Sequence, residues 1–154
     1  MISVILYQPQ IPPNTGNIIR LCANSGCQLN LIQPLGFELN EKTLRRAGLD
    51  YYRKVKIKLY NDLDNCLANF GSDEIYSFTS KGETTLFETK FNPNCALLFG
   101  SETSGLPSYY LRRTKQSHLV KIPMVKKSRC LNLSNAVAIG VYEAWRQHSL
   151  MNLS

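Results

Sequence analysis

Short apolar runs alternate along the chain with longer segments that have the residue spacing of amphipathic helices. The first run, Ile2 to Tyr7, is rich in β-branched residues and is followed by Pro9, which predicts a buried strand. Continuous apolar runs are typical of parallel sheets, because helices cover both faces of such a sheet. The alternation therefore predicts an α/β domain, residues 1–154, with a mainly parallel sheet flanked by helices.

The other elements continue this alternation. Further strands are predicted at 29–32, 54–60, 75–79, 96–99 and 119–122. Helices are predicted at 17–25, 41–47, 62–70 and 133–147. IPPNTG, before the first helix, is interpreted as a turn, and Gly26 as the end of that helix. In 54–60 lysines alternate with apolar residues, which indicates a half-exposed strand near an edge of the sheet.

Charge and cysteine content limit the partners and the compartment. The chain has 18 Lys and Arg against 11 Asp and Glu, and this net charge of +7 favours a polyanionic partner without saying which one. No apolar run approaches the ~18–20 residues of a membrane helix, and MISVILYQPQ lacks the features of a signal peptide. We therefore expect a cytoplasmic protein without a membrane partner. Five cysteines without metal-ligand spacing predict reduced thiols and no metal site.

Polar loops lie where a parallel sheet usually binds its ligand, after the strands. They are NTGNIIR, ending at Arg20, then GSETSG, from Gly100 to Gly105, and SRCLNLSN, which leads into the last helix. GSETSG has the glycine spacing of a P-loop, but the Lys and Ser or Thr of a P-loop do not follow it, and no GxGxxG is present. The sequence thus argues against an ordinary nucleotide-binding enzyme. Each loop taken alone is equally typical of a turn or a helix cap.

Together, NTGNIIRLC, LLFGSETSGLP and SRCLNLSNAVAIGVYEAWRQ resemble the three motifs of the SPOUT methyltransferases, in the branch that methylates ribose 2′-hydroxyls of RNA. The resemblance extends over essentially the whole chain. NLSNAVAIGVYEAWRQ is most similar to the small enzymes that methylate the wobble nucleotide of leucine tRNAs, cytidine or uridine 34. The resemblance implies tRNA as partner, S-adenosylmethionine as cofactor and an obligate homodimer. It also implies a five- or six-stranded parallel sheet with a deep C-terminal trefoil knot.

The resemblance also implies roles for individual residues. Arg20 is expected to clamp the substrate phosphate and the developing alkoxide, because arginine stays protonated and is a poor base. The residues expected to orient this arginine and the ribose are Asn14, Glu102 and Asn132. The backbone groups expected to hold the cofactor belong to Phe78, Gly100, Ile122, Cys130 and Leu131. Cys130 stands where similar proteins often have Ser, so a hydroxyl hydrogen bond is absent there while backbone contacts are kept.

Basic residues surround the third motif. From Thr103 to Tyr142 there are seven Lys and Arg and no Asp or Glu. The residues expected to contact RNA are Lys126, Lys127, Arg129 and Tyr142. A second basic group is Arg45, Arg46, Arg53, Lys54, Lys56 and Lys58. A solvated surface is the ordinary explanation of either group.

Small residues form a stripe in the last helix, at Ala136, Gly140 and Ala144. Close packing within the chain explains such a stripe as well as a dimer interface does, and the resemblance favours the dimer interface. Two other functions stay open: methylation of another tRNA or rRNA site, and non-catalytic RNA binding on the same scaffold.

Overall fold

The structure, a computed structural model, describes residues 1–46 and 54–148. Its strands are β1 Ile2–Tyr7, β2 Gln28–Ile32, β3 Ile57–Tyr60, β4 Ile75–Phe78, β5 Thr84–Thr85, β6 Cys95–Phe99 and β7 Leu119–Lys121. Its helices are α1 Pro12–Ser25, α2 Glu41–Arg46, α3 Leu63–Leu67, α4 Ser108–Arg113 and α5 Leu133–His148. In this part of the chain the strands form one sheet in the order β3-β2-β1-β6-β4-β7-β5, and all pairs are parallel.

Both faces of the sheet are buried, as the continuous apolar runs predict. In β1, Val4 and Leu6 face the core beneath α1 and α5, whereas Ile5 faces the core beneath α3 and α4. The α1 side is filled by residues such as Ile18 and Val137, and both are fully buried. The prediction of a parallel sheet flanked by helices is confirmed, although seven strands replace the expected five or six.

Most predicted elements lie within a few residues of their observed positions, and the largest error concerns α1. The helix begins at Pro12, so IPPNTG is its first turn and not a separate loop. Proline is tolerated there because the first N–H groups of a helix have no intrahelical partner. The helix ends at Gly26, whose φ of +68° is the left-handed conformation that glycine adopts readily.

Two elements were not predicted, the short strand β5 and the helix α4. Strand β5, Thr84–Thr85, pairs with β7 over two residues, and α4 follows Pro107 directly.

Strand β3 is an edge strand as predicted, but it begins at Ile57. Lys54, Lys56 and Lys58 are exposed. Ala47, the expected end of α2, and Arg53 of the second basic group lie outside the described residues.

The small-residue stripe of α5 faces the sheet of its own chain. A Cβ atom on Gly140 would lie 2.8 Å from Cζ of Phe78 and 3.2 Å from Cζ of Phe99. Ala144 is fully buried in the same core. The stripe therefore allows α5 to approach β4 and β6, and the prediction that it forms a dimer interface is wrong.

The cysteines are free thiols, four buried and Cys130 exposed. Among the helices of residues 1–46 and 54–148, none combines the length and the apolar character that a membrane crossing requires.

Candidate active site

A cleft of about 490 Å³ opens at the carboxyl ends of β4, β6 and β7. Its size lies within the range of about 300–1,000 Å³ that is typical of small-molecule sites. Its floor is apolar, since the rings of Phe78 and Phe99 stack there with centroids 4.4 Å apart, beside Val120 and Ala136. Its rim consists of the loops that follow the three strands and of the start of α1.

All five residues predicted to hold a cofactor line this cleft. They are Phe78, Gly100, Ile122, Cys130 and Leu131. Gly100 is constrained by the loop that it opens, because a Cβ there would lie 2.3 Å from the carbonyl carbon of Gly105. Ser101 and Gly105 close this loop by two backbone hydrogen bonds, of 3.3 and 2.9 Å. The loop after β6 thus forms a small closed ring at the rim.

Glu102 lies in that ring and caps the start of α1. Its Oε2 accepts a hydrogen bond from the Gln10 amide at 2.8 Å, and its Oε1 accepts one from the Ile11 amide at 3.1 Å. The Asn14 side-chain amide also donates to Oε1, at 3.2 Å. A carboxylate is favourable here because the N-terminus of a helix carries a partial positive charge. Glu102 is therefore a bound structural acid and not a solvated loop residue.

The same hydrogen-bonded chain continues to the third motif. Oδ1 of Asn14 accepts a hydrogen bond from Nδ2 of Asn132 at 2.9 Å. Oδ1 of Asn132 in turn accepts from the Ser134 amide at 2.9 Å, at the start of α5. We call Glu102, Asn14 and Asn132 the amide network. It joins the first turn of α1, the loop after β6 and the segment before α5, which are far apart in sequence, and all three residues line the cleft.

Arg20 is not part of this arrangement. It is exposed on α1 and lies outside the cleft lining. It follows Asn14 by six residues, which corresponds to about 9 Å along a helix axis. The structure thus brings together three of the four residues predicted to act on the substrate, within a single chain.

Three of the four predicted RNA-binding residues lie in a loop that borders the cleft. Lys126, Lys127 and Arg129 belong to residues 123–131, which we call the basic loop, and every residue of this loop is exposed. Both ends of the loop contribute to the cleft lining, through Met124 and Cys130. Tyr142 lies on the outer side of α5, 48% exposed and edge to face with Trp145.

One cleft residue was missed by sequence reasoning. Lys81, in the turn after β4, lines the cleft beside Thr79 and Ser80. No motif marks this turn, so only the position of β4 beside β7 could have indicated it. Within the described part of the chain, no group of three or more His, Cys, Asp or Glu side chains could hold a metal ion.

Comparison with known proteins decides the family. The sequence profile described as "SpoU rRNA Methylase family" matches residues 1–142. The chain belongs to the SpoU rRNA methylase family. This membership agrees with the SPOUT resemblance of the three motifs and with the position of the cleft at the carboxyl edge of the sheet.

Relatives of this SpoU methylase carry a more specific name. A protein of Yersinia pestis named "tRNA (cytidine(34)-2'-O)-methyltransferase" is 49% identical over 152 residues, 96% of this chain and 94% of that protein. An Escherichia coli K12 protein of the same name is 45% identical, over 96% of this chain and 94% of that protein. A solved structure described as "Structural insights into the 2-OH methylation of C/U34 on tRNA" aligns with a TM-score of 0.88 and 42% identity, covering 96% of this chain and 95% of that one.

Proposed function

We propose that this SpoU methylase transfers a methyl group from S-adenosylmethionine to the ribose 2′-hydroxyl of nucleotide 34 of tRNA, cytidine or uridine. The observation that carries the proposal is the amide network at the edge of a cleft of cofactor size. Full-length relatives with 45% and 49% identity are named for this reaction. Leucine tRNAs remain the expected substrates, on the resemblance of the third motif.

The cleft residues fit the cofactor in shape and in chemistry. An adenosine moiety matches the apolar floor of Phe78, Phe99 and Val120, and the loops of the rim offer backbone donors and acceptors for its polar edge. Gly105, with a φ of +66°, leaves the adjacent space open, since nothing lies within 4 Å of a Cβ built there. When bound, the cofactor supplies a methyl group that is activated by a sulfonium leaving group.

In this proposal the amide network positions the acceptor ribose. Each asparagine amide has two N–H donors, and the network uses one from Asn14 and one from Asn132. The second N–H of each is then available to the ribose hydroxyl and to the negative charge that develops on its oxygen. The carboxylate of Glu102 fixes the direction of the Asn14 amide, because it can only accept hydrogen bonds.

Arg20 has a separate role on the substrate side. We propose that its guanidinium stabilises the substrate phosphate and the developing alkoxide, as a permanent positive charge. Because Arg20 lies outside the cleft of its own chain, it would act on the cleft of a second copy in a homodimer. An exposed surface on α1 and α5 supports such a dimer: α1 packs beside α5, and Ile139 and Tyr142 are 39% and 48% exposed.

The basic loop would hold the tRNA backbone beside the cleft, through Lys126, Lys127 and Arg129. We also infer a deep trefoil knot, built from the loop after β6, the loop after β7 and the SRCLNLSN turn. What supports the knot is that these three loops line one cleft and that the family resemblance implies it. A tRNA substrate would place the protein in the cytoplasm.

Mass spectrometry tests the function. Nuclease fragments of tRNA are measured after incubation with the protein and isotopically labelled S-adenosylmethionine. We expect one labelled methyl group, in the fragment with nucleotide 34, on the ribose. Label in another nucleotide or in rRNA would contradict the proposal, and so would RNA binding without any transfer. A Glu83→Gln variant, changed at an exposed acid outside the cleft lining, is the matched control for variants of Glu102.

A further inference from the structure

Lys81 is the one basic side chain among the described residues that line the cleft, and Glu102 is the one acidic side chain. The carboxylate of Glu102 is already bound by the start of α1 and by Asn14. Ion pairs among the described residues join Arg45 to Glu41, Arg113 to Asp64 and Arg146 to Glu143, and Lys81 is in none of these three. Lys81 therefore brings a positive charge to the cleft that no described carboxylate neutralises.

The backbone of Lys81 is held firmly, although its side chain is exposed. The Thr79 amide donates to the Val120 carbonyl at 2.9 Å, and the Lys81 amide donates to Oγ1 of Thr79 at 3.2 Å. Gly82 lies so close to β7 that a Cβ there would be 2.5 Å from the Leu119 carbonyl oxygen. These contacts hold the turn that follows β4 against β7. The Lys81 ammonium therefore has a defined region of the cleft within reach.

Lys81 and the amide network lie on opposite sides of the cleft. Glu102 binds the start of α1, next to β1, whereas the Lys81 turn packs on β7. In the sheet order β1-β6-β4-β7 these strands are three spacings apart, which is about 14 Å. A group bound by Lys81 is therefore remote from the acceptor ribose.

The chemistry of the transfer would allow a carboxylate at that remote side. In an in-line displacement the methyl group points at the acceptor oxygen, and the other two substituents of the sulfonium point away from it. One of them is adenosyl, and the other is the aminocarboxypropyl arm, which ends in a carboxylate. The apolar floor of Phe78 and Phe99 suits adenine and does not suit a carboxylate.

We propose that Lys81 binds the carboxylate of the methionine moiety of the cofactor. The inference rests on the proposed function, because it takes S-adenosylmethionine as the occupant of the cleft. It adds a specificity residue: Lys81 distinguishes ligands that carry the amino-acid arm from adenosine thioethers that lack it.

Calorimetric titration with two ligands isolates this interaction. S-adenosylhomocysteine keeps the amino-acid arm, and 5′-methylthioadenosine lacks it. For Lys81→Ala we expect affinity for S-adenosylhomocysteine to fall by about threefold to fivefold, the upper range for an exposed ion pair. Affinity for 5′-methylthioadenosine should not change, and Lys81→Arg should retain most of the affinity for S-adenosylhomocysteine. Lys90→Ala, at an exposed lysine outside the cleft lining, is the matched control.

The other outcomes overturn the proposal. Equal reductions in affinity for both ligands, or no reduction for either, mean that Lys81 does not bind the carboxylate. A weaker, less salt-dependent binding of tRNA, with unchanged S-adenosylhomocysteine binding, means that Lys81 binds an RNA phosphate. The proposed function fails separately: it is contradicted if the wild-type protein binds S-adenosylhomocysteine through Lys81 and transfers no methyl group to nucleotide 34.

Discussion

The amide network and the basic loop border the same cleft, but they are built in opposite ways. Asn14 is 5% exposed, and the network links it to Glu102 and Asn132 by hydrogen bonds between distant parts of the chain. Every residue of the basic loop is exposed, and Val125 reaches 80%. On the proposed function this difference corresponds to a division of work: the network would set the geometry before the substrate arrives, and the loop would supply charge to a partner that it does not orient by itself.

This division has an energetic reason. A buried polar group that is deprived of its partner costs about 1–3 kcal/mol, so a network of such groups has few alternative arrangements. Exposed lysines are stabilised little by other groups of the chain and keep their rotamer freedom until a phosphate binds them. Substitutions in the amide network and in the basic loop should therefore affect different properties, turnover in the first case and tRNA binding in the second.

The largest effect is expected at Arg20. Arg20→Ala should abolish methylation and leave cofactor affinity unchanged, because the contacts proposed for Arg20 are with the substrate phosphate and the developing alkoxide, and not with the cofactor. Calorimetry with S-adenosylhomocysteine and single-turnover methylation measure the two properties on one variant. Near-normal turnover at saturating tRNA would show that Arg20 is not catalytic.

A mixing experiment assigns Arg20 to its cleft. Arg20→Ala and Glu102→Ala chains are unfolded and refolded together, so that mixed dimers form. If Arg20 serves the cleft of the partner, one site in each mixed dimer is intact, and about one quarter of the wild-type activity returns for random association in a two-fold dimer. No recovery is expected if Arg20 serves the cleft of its own chain.

The next effect concerns the amide network itself. Glu102→Gln keeps the shape but replaces one acceptor oxygen by an NH₂ group, which then faces the N–H donors of Gln10, Ile11 or Asn14. We expect kcat to fall by about 10²-fold, the size of a small misplacement of the reacting groups, with a smaller change in KM. A fall in melting temperature should accompany it, since the start of α1 is deprived of its charged cap. Glu83→Gln should change neither property.

These cases also show what the sequence could and could not indicate. The burial of β1 and β6 on both faces could be predicted, because a short apolar run without polar alternation is typical of a parallel strand that helices cover on both sides. The start of α1 could not, because a Pro-Pro pair is equally typical of a turn. The stripe around Gly140 gives the same pattern whether it faces a sheet or a second helix, and only the positions of Phe78 and Phe99 decide between them.

The same distinction applies to the site, since some of its residues could be predicted from the sequence and others could not. The amide network was predictable only through the motif resemblance, because Glu102 and Asn132 are 88 and 118 residues from Asn14 and no residue spacing relates them. Lys81 belongs to no motif, and the role proposed for it depends on β4 lying beside β7. Arg20 belongs to a motif, but a motif does not say which of two clefts a surface arginine serves.

In the basic loop, Lys126→Ala and Lys127→Ala should weaken tRNA binding and leave cofactor affinity and single-turnover rate at saturating tRNA unchanged. For each phosphate that is no longer neutralised, the slope of log K against log salt should become shallower by about 0.9. Lys127 has a φ of +63°, so Lys127→Gly is the control that removes the charge while it suits the backbone. Equal reductions in affinity for Lys127→Ala and Lys127→Gly would show that charge, and not strain, carries the effect. Binding is measured over a range of salt concentrations.

The smallest effect concerns Cys130, which belongs to the basic loop and also lines the cleft. We expect a small thiol reagent to modify one of the five cysteines of the native protein. Cys130 is exposed, whereas burial raises the pKa of the Cys66 and Cys95 thiols to about 12, so that their reactive thiolate forms are scarce at neutral pH. Peptide mapping by mass spectrometry identifies the modified residue.

Ligand protection then tests whether Cys130 belongs to the cofactor cleft or only to the RNA surface. If S-adenosylhomocysteine covers the thiol, modification is limited to empty clefts, about one in a hundred when the ligand stands at about 100 times its Kd. A short anticodon-loop RNA without the cofactor should protect Cys130 less, because the contacts proposed for RNA are made by the charged side chains of the basic loop and not by Cys130. Strong protection by RNA alone, with none by S-adenosylhomocysteine, would move Cys130 out of the cofactor site. Cys130→Ser should bind S-adenosylhomocysteine with unchanged affinity, because the contact expected there is made by the backbone.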